Sequence, residues 1–220
     1  ETGEYSFVCF GGAIKHKDYK PQKFENYGDD LVVYPVDGYG TADSVRSIIR
    51  TEKPDILWFM TDPRFFAWLW EIRSLIPMVY YHVWDNYPYP KFNKIWYDSN
   101  DFVAAISKVT HDIVKNVSPD VDTAYLPHAV NTKIYKEIPQ EERNKLKENS
   151  GFDKDKFVVF WNNRNARRKQ SGSLIFWFKE WVDNNKLQDK VQLIMHTDPK
   201  DPHGQDLAHI IDHLGIEREI

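Results

Sequence analysis

The stretch Phe157-Val-Val-Phe-Trp-Asn-Asn-Arg-Asn-Ala-Arg-Arg-Lys169 decides how the chain is read. Its first five residues form a continuous apolar run, the pattern of a strand buried on both faces. The polar run that follows leads into a predicted helix over 173–184. Strand, loop and helix in that order put the loop at the carboxyl end of a strand, where ligands bind in doubly wound sheets. Four cations, Arg164, Arg167, Arg168 and Lys169, fall within six residues. A helix N-terminus beside them offers free backbone N–H groups, so the stretch has the make-up of an anion site. Arginine gives planar two-pronged contacts and lysine a point charge, which suits a diphosphate. From this run alone three readings stay open: a solvated basic loop, a phosphate site for a small ligand and a nucleic-acid contact.

The same alternation runs outward along the chain. Apolar runs predict strands over 5–10, 31–36, 56–60, 78–83, 102–106, 124–126, 157–161 and 191–196. Between them, Thr41 can cap a helix carrying Val45, Ile48 and Ile49, which Lys53-Pro54-Asp55 stops. Thr61 or Asp62 caps a helix to about Ser74 with Pro63 in its first turn; Ser107 caps one to about Asn116; a last helix covers 206–214. Residues 13–28 read as a loop, and the charged residues 134–152 as a connector. Buried strands separated by helices mean an α/β fold with parallel sheets. We therefore expect two Rossmann-like units, the second incomplete: an N-terminal domain over 1–133, the connector 134–152, and the first part of a second domain over 153–220.

Composition narrows the function classes. Charged residues make up 28% and hydrophobic residues 41%, so the chain can bury a core. The net charge of −4 argues against a surface built for nucleic acid. The single cysteine, Cys9, forms neither an internal disulfide nor a cysteine zinc site, which makes a reducing, cytoplasmic setting the default. No His/Asp/Glu cluster has metal-ligand spacing, and Asp120-Val-Asp122 reads as a turn, so no metal is expected. Gly11-Gly12 falls short of a dinucleotide fingerprint, and no nucleophile elbow supports a serine hydrolase.

Five segments together resemble a family. The 157–169 stretch, with Arg164, Arg168 and Lys169, looks like the loop that opens the donor domain of retaining GT-B glycosyltransferases of the family 4 type. Leu126-Pro-His-Ala-Val-Asn131-Thr-Lys-Ile-Tyr135 is similar to that family's interdomain segment, with Ala129 where Gly and Asn131 where Asp are usual. Pro54-Asp-Ile-Leu-Trp-Phe-Met-Thr-Asp-Pro63 and Phe102-Val-Ala-Ala-Ile-Ser107 are similar to strand ends of its N-terminal domain. Leu193-Ile-Met-His-Thr-Asp-Pro199 resembles the second donor-domain strand. The five follow one another in the family's order.

The resemblance implies transfer of a sugar from a nucleotide diphosphate sugar to a hydroxyl acceptor, with no separate cofactor. Arg164 and Lys169, with Arg168, would hold the donor diphosphate. His82, in His82-Val-Trp-Asp85, would take the place of a catalytic histidine that faces acceptor and sugar, with Asp85 as acceptor contact or orienter. A satisfied structural histidine beside Tyr81 and Trp84 is the alternative. Asn163, His128, His196, Asp198 and Asp62 are further candidates for donor or cleft contacts; a helix cap and nothing more is the other reading of Asp62. The aromatic residues Trp84, Tyr87, Tyr89, Phe92 and Trp96 suit stacking on a sugar or lipid acceptor, or packing of an irregular loop. The acceptor, whether glycan, lipid or protein, is left open, as is association with a membrane surface. The family's glutamate pair and opening glycine loop have no counterpart in this sequence. The expectation is thus a piece of a glycosyltransferase, or a binding module, whose donor domain leans on the acceptor domain or on a second chain.

Overall fold

The computed structural model describes residues 3–12, 17–26, 28–84 and 86–216. The chain divides into two compact units, 1–130 and 131–220. In the first unit, β1 (Phe7–Gly11) pairs in parallel with β3 (Leu31–Pro35), and the short β2 (Gln22–Lys23) adds to β3 in antiparallel. A second sheet holds β4 (Leu57–Thr61), β5 (Met78–His82), β6 (Phe102–Ala105) and β7 (Thr123–Tyr125), parallel throughout and in chain order. Its register sets Thr61 opposite His82 and His82 opposite Ala105. The carboxyl ends of the central strands therefore meet at one edge, which is what positions the first candidate site.

Helix ends follow their caps. Helix α1 (Ala42–Glu52) starts at a capping box in which the Ser44 amide donates to Thr41 Oγ1 and the Thr41 amide donates to Ser44 Oγ. It ends on Lys53 in the left-handed conformation. The polypeptide between β4 and β5 departs from the single helix expected over 62–74. Asp62 caps only the tight turn Pro63–Phe65, and α2 is one turn, Leu69–Ile72. The physical reason is burial: Phe66 and Trp68 are both in the core, with ring centroids 5.5 Å apart. Residues two apart lie about 200° around a helix, so one helix could not bury both. After β5 come α3 (Lys94–Tyr97) and, capped by Ser107, α4 (Lys108–Val117), which buries Ile113, Val114 and Val117. These close over Leu69, Ile72, Met78, Tyr80 and Val103 in one core. Each such side chain contributes about 1.5–3 kcal/mol by leaving water. Asp120-Val-Asp122 forms the turn that enters β7.

The second unit holds α5 (Gln140–Asn149), β8 (Phe157–Asn162), α6 (Ser171–Asn185), β9 (Val191–His196) and α7 (Leu207–His213). Within the residues read as a connector, α5 runs its full ten residues as a helix with no buried side chain. Strands β8 and β9 pair in parallel, with Asn162 opposite His196. The core beneath them is small, centred on Ile175, Leu193 and Leu207. Phe157, Phe160, Trp177 and Trp181 stay exposed. Among the described residues no helix is long and apolar enough to cross a membrane.

Candidate functional site

At the carboxyl end of β5, His82 is fully buried and both ring nitrogens are used. Nδ1 lies 3.0 Å from Tyr80 Oη and Nε2 lies 2.6 Å from Tyr97 Oη. The directions follow from the neighbours. The Tyr80 hydroxyl donates to the Thr61 carbonyl, so it accepts from His82, and Nδ1 carries the proton. Nε2 must then accept from the Tyr97 hydroxyl, which itself accepts from the Asn93 amide at 3.2 Å. The result is a directed chain from Asn93 through Tyr97, His82 and Tyr80 to Thr61. Burial pushes the imidazole down to about 3, so the ring is neutral, and burial likewise raises both tyrosines.

The chain of hydrogen bonds ends on an unusual residue. Thr61 has φ of 134°, a conformation that a β-branched residue rarely adopts. It precedes Asp62, whose carboxylate takes the Arg64 backbone amide at 3.0 Å and two guanidinium nitrogens, Nε at 2.9 Å and Nη2 at 2.6 Å. Partial burial works against ionisation of Asp62, but the Arg64 hydrogen bonds outweigh it and hold the carboxyl below its ordinary range. The guanidinium in turn lies 5.3 Å from the centre of the Trp84 ring. Asp62 is therefore a cap and an ion-pair partner at once. In this packing no ring nitrogen of His82 is free for a ligand. Asp85 lies outside the described residues. His128 is exposed and its Nδ1 sits 3.1 Å from Tyr81 Oη, which donates to the Leu126 carbonyl.

In the second unit, the loops after β8 and β9 are tied to each other. Arg164 makes a two-pronged ion pair with Asp201, Nε to Oδ2 at 2.6 Å and Nη2 to Oδ1 at 3.2 Å. The Arg164 side chain is 62% exposed and that of Asp201 9%. The Arg164 hydrogen bonds hold the Asp201 carboxyl at about 2. Beside the pair, Asn165 is completely buried. Its amide donates to the carbonyls of Asp198 at 3.3 Å and Gln205 at 2.6 Å, and its oxygen accepts from Ser171 at the start of α6. Gln205 returns to the helix by accepting from the Gly172 amide at 2.8 Å. Gly204 permits this approach, since a Cβ there would lie 1.9 Å from the Asn165 carbonyl oxygen.

This scaffold leaves the remaining cations unspent. Arg167, Arg168 and Lys169 form the tight turn before α6, and none has an ion-pair partner among the described residues. Arg167 and Arg168 are exposed and Lys169 half-buried. His196 is exposed with Nδ1 3.2 Å from Asn162 Oδ1; Asn163 is half-buried; Asp198 is exposed and takes the Lys200 amide at 2.9 Å. Arg164, Arg168, Lys169, Asn163 and Asp198 thus lie on the two strand-end loops of one unit, and His196 closes β9 beside them. Sequence reasoning missed Asn165, Ser171, Gly204 and Gln205. The glycine two residues beyond Pro202 was the one available signal of a close backbone approach.

The fold is similar to that of HepE from Anabaena. That protein was solved as a crystal structure in complex with UDP and glucose. The match has a TM-score of 0.62 at 16% sequence identity, covering 85% of this chain and 54% of HepE. The chain thus spans about half the length of that protein. No protein-family model and no curated protein matches the sequence. The likeness shows the fold, and the expected α/β architecture of Rossmann-like parallel-sheet units is met.

Proposed function

We propose that this chain is part of a glycosyltransferase and that its second unit binds the diphosphate of a nucleotide sugar. The observation that carries the reading is the set of unpaired cations Arg167, Arg168 and Lys169 at the carboxyl edge of a parallel sheet, against the start of the fifteen-residue α6. Backbone amides at such a helix start and the positive end of its dipole favour an anion. Lys169 and Arg168 meet the phosphates directly in this reading, while Arg164 offers the guanidinium edge that Asp201 leaves free. Neutralising a leaving diphosphate in this way is what sugar transfer from such a donor needs. HepE, similar in fold, was crystallised with UDP and glucose, which makes a uridine nucleotide the donor to try first. Retention of configuration is proposed from the sequence resemblance alone. His82 enters as a positioning residue that holds Thr61 and Asp62 at the β4 edge, rather than as an open acid or base.

A second reading has its own support. With His82 buried and doubly bonded, the described residues of the first unit present no free imidazole at the β5 end, which favours a nucleotide-sugar-binding module without its own catalytic group. Calorimetry with UDP separates binding from its absence. Binding that falls about tenfold in Arg168→Ala and Lys169→Ala supports the diphosphate site; equal binding by wild type and Arg164→Ala, Arg168→Ala and Lys169→Ala sinks it. Hydrolysis or transfer of a UDP-sugar by the chain then separates enzyme from module.

A further inference from the structure

The face of α7 turned away from the core carries two histidines that the nucleotide site does not use. Leu207, Ile210, Ile211 and Leu214 of this segment pack into the small core of the second unit. His209 and His213 lie about 200° and 240° around the helix from Leu207, and both are exposed. The first turn is fixed by Asp206, whose carboxylate accepts the His209 backbone amide at 3.0 Å. Spaced four residues apart, the two rings project side by side. Their centroids are 6.4 Å apart and their planes 25° from parallel. Neither imidazole has a hydrogen-bond or ion-pair partner among the described residues.

Two neutral imidazoles one helical turn apart form a two-pronged nitrogen chelate. A zinc ion held at about 2.0–2.1 Å by two such nitrogens sets the ring centres about 5 Å apart. Closing 6.4 Å to that distance takes only a small rotation of exposed side chains, which turn freely. Among the described residues no third His, Cys, Asp or Glu completes a metal-binding group with the pair. Water must then fill the remaining positions. There is room for it, because both histidines line an open cleft of about 440 Å³ between α6 and α7. Nitrogen ligands select Zn²⁺, Ni²⁺ or Cu²⁺ over Mg²⁺ and Ca²⁺, which take oxygen.

We infer that His209 and His213 bind one divalent ion of the Zn²⁺, Ni²⁺ and Cu²⁺ class, which clips α7. A clip has most effect where the fold is weakest. Helix α7 has seven residues, too few to hold its shape alone, and the core beneath it is centred on three side chains. An ion that binds the preformed pair better than the unfolded chain stabilises the folded state by mass action. Neither histidine belongs to the proposed nucleotide site, so the two proposals stand or fall separately.

The test is calorimetry of the full 220-residue chain with ZnCl₂, beside MgCl₂, together with thermal unfolding at rising Zn²⁺. The expected result is one Zn²⁺ per chain, no Mg²⁺ binding, and an unfolding temperature that rises with Zn²⁺ and returns when EDTA is added. Loss of a group that merely orients a metal ligand already costs about 10–100-fold in affinity, so His209→Ala and His213→Ala should each weaken Zn²⁺ binding at least about tenfold. A chelate needs both prongs, so the double variant should lose little more than either single one. Both positions are exposed, and unchanged unfolding of the variants without Zn²⁺ confirms that they fold. The chain has eight histidines, so Zn²⁺ binding retained in the double variant would place the ion elsewhere and overturn the inference. Binding that leaves the unfolding temperature unmoved overturns the clip. One Zn²⁺ per two chains, with a dimer that forms only in Zn²⁺, would assign the ion to an interface between copies and overturn it equally.

Discussion

The carboxyl ends of β5 and β8 start alike and finish in opposite states. Each is an aromatic-rich strand that runs into polar residues at the edge of a parallel sheet. At the β5 end the polar group is His82, buried and bonded on both sides by Tyr80 and Tyr97. At the β8 end one polar residue, Asn165, is buried as a hub, and its neighbours Arg167 and Arg168 are left in water. The difference teaches where each unit spends its polar groups. In the first, every hydrogen bond of the imidazole stabilises the fold. In the second, one amide ties the loops together and the guanidinium groups of Arg167 and Arg168 stay in water.

That contrast can be broken at several points. The largest effect is expected from Gly204→Ala. Its new Cβ would collide with the Asn165 carbonyl oxygen, part the two loops and cost about 3 kcal/mol in a urea titration. UDP binding should fall with it. Next comes Tyr97→Phe, which leaves His82 Nε2 buried without its donor and should cost about 2 kcal/mol while UDP affinity is unchanged. A loss of UDP affinity from Tyr97→Phe would show that the buried chain serves the nucleotide site after all.

A smaller effect sharpens the comparison through pH. His82 stays neutral in the fold down to about 3, whereas an unfolded histidine titrates near its ordinary value of about 6.5. Between those values the unfolded chain holds the extra proton. Stability contributed by this site is therefore full above about pH 6.5 and falls as pH drops toward 3, by up to about 1.4 kcal/mol per pH unit. In His82→Gln that slope should shrink. An unchanged slope would mean that the ring is open to protons in the folded state.

Much of the fold was legible. The caps Thr41 and Ser107 marked their helices, and continuous apolar runs marked the parallel strands. What failed did so for reasons of packing. The 62–74 segment has the composition of a helix, but Phe66 and Trp68 both turn into the core, a demand that only tertiary structure makes. The two-residue β2 has no periodicity of its own and exists only as an antiparallel partner of β3. At the candidate site the cations could be read directly, because charge at a strand end is visible in sequence. The pairing of Arg164 with Asp201, 37 residues on, could not. Nor could the burial of His82, whose partner Tyr97 arrives from α3 fifteen residues later.

The central claim is that the loop after β8 binds a nucleoside diphosphate through charges that the fold does not need. Its most direct test is UDP calorimetry on Lys169→Ala, with thermal unfolding of the same sample. The account predicts affinity about tenfold weaker and an unfolding temperature that does not move. Wild-type affinity in Lys169→Ala, or no UDP binding by the wild-type chain, would contradict it.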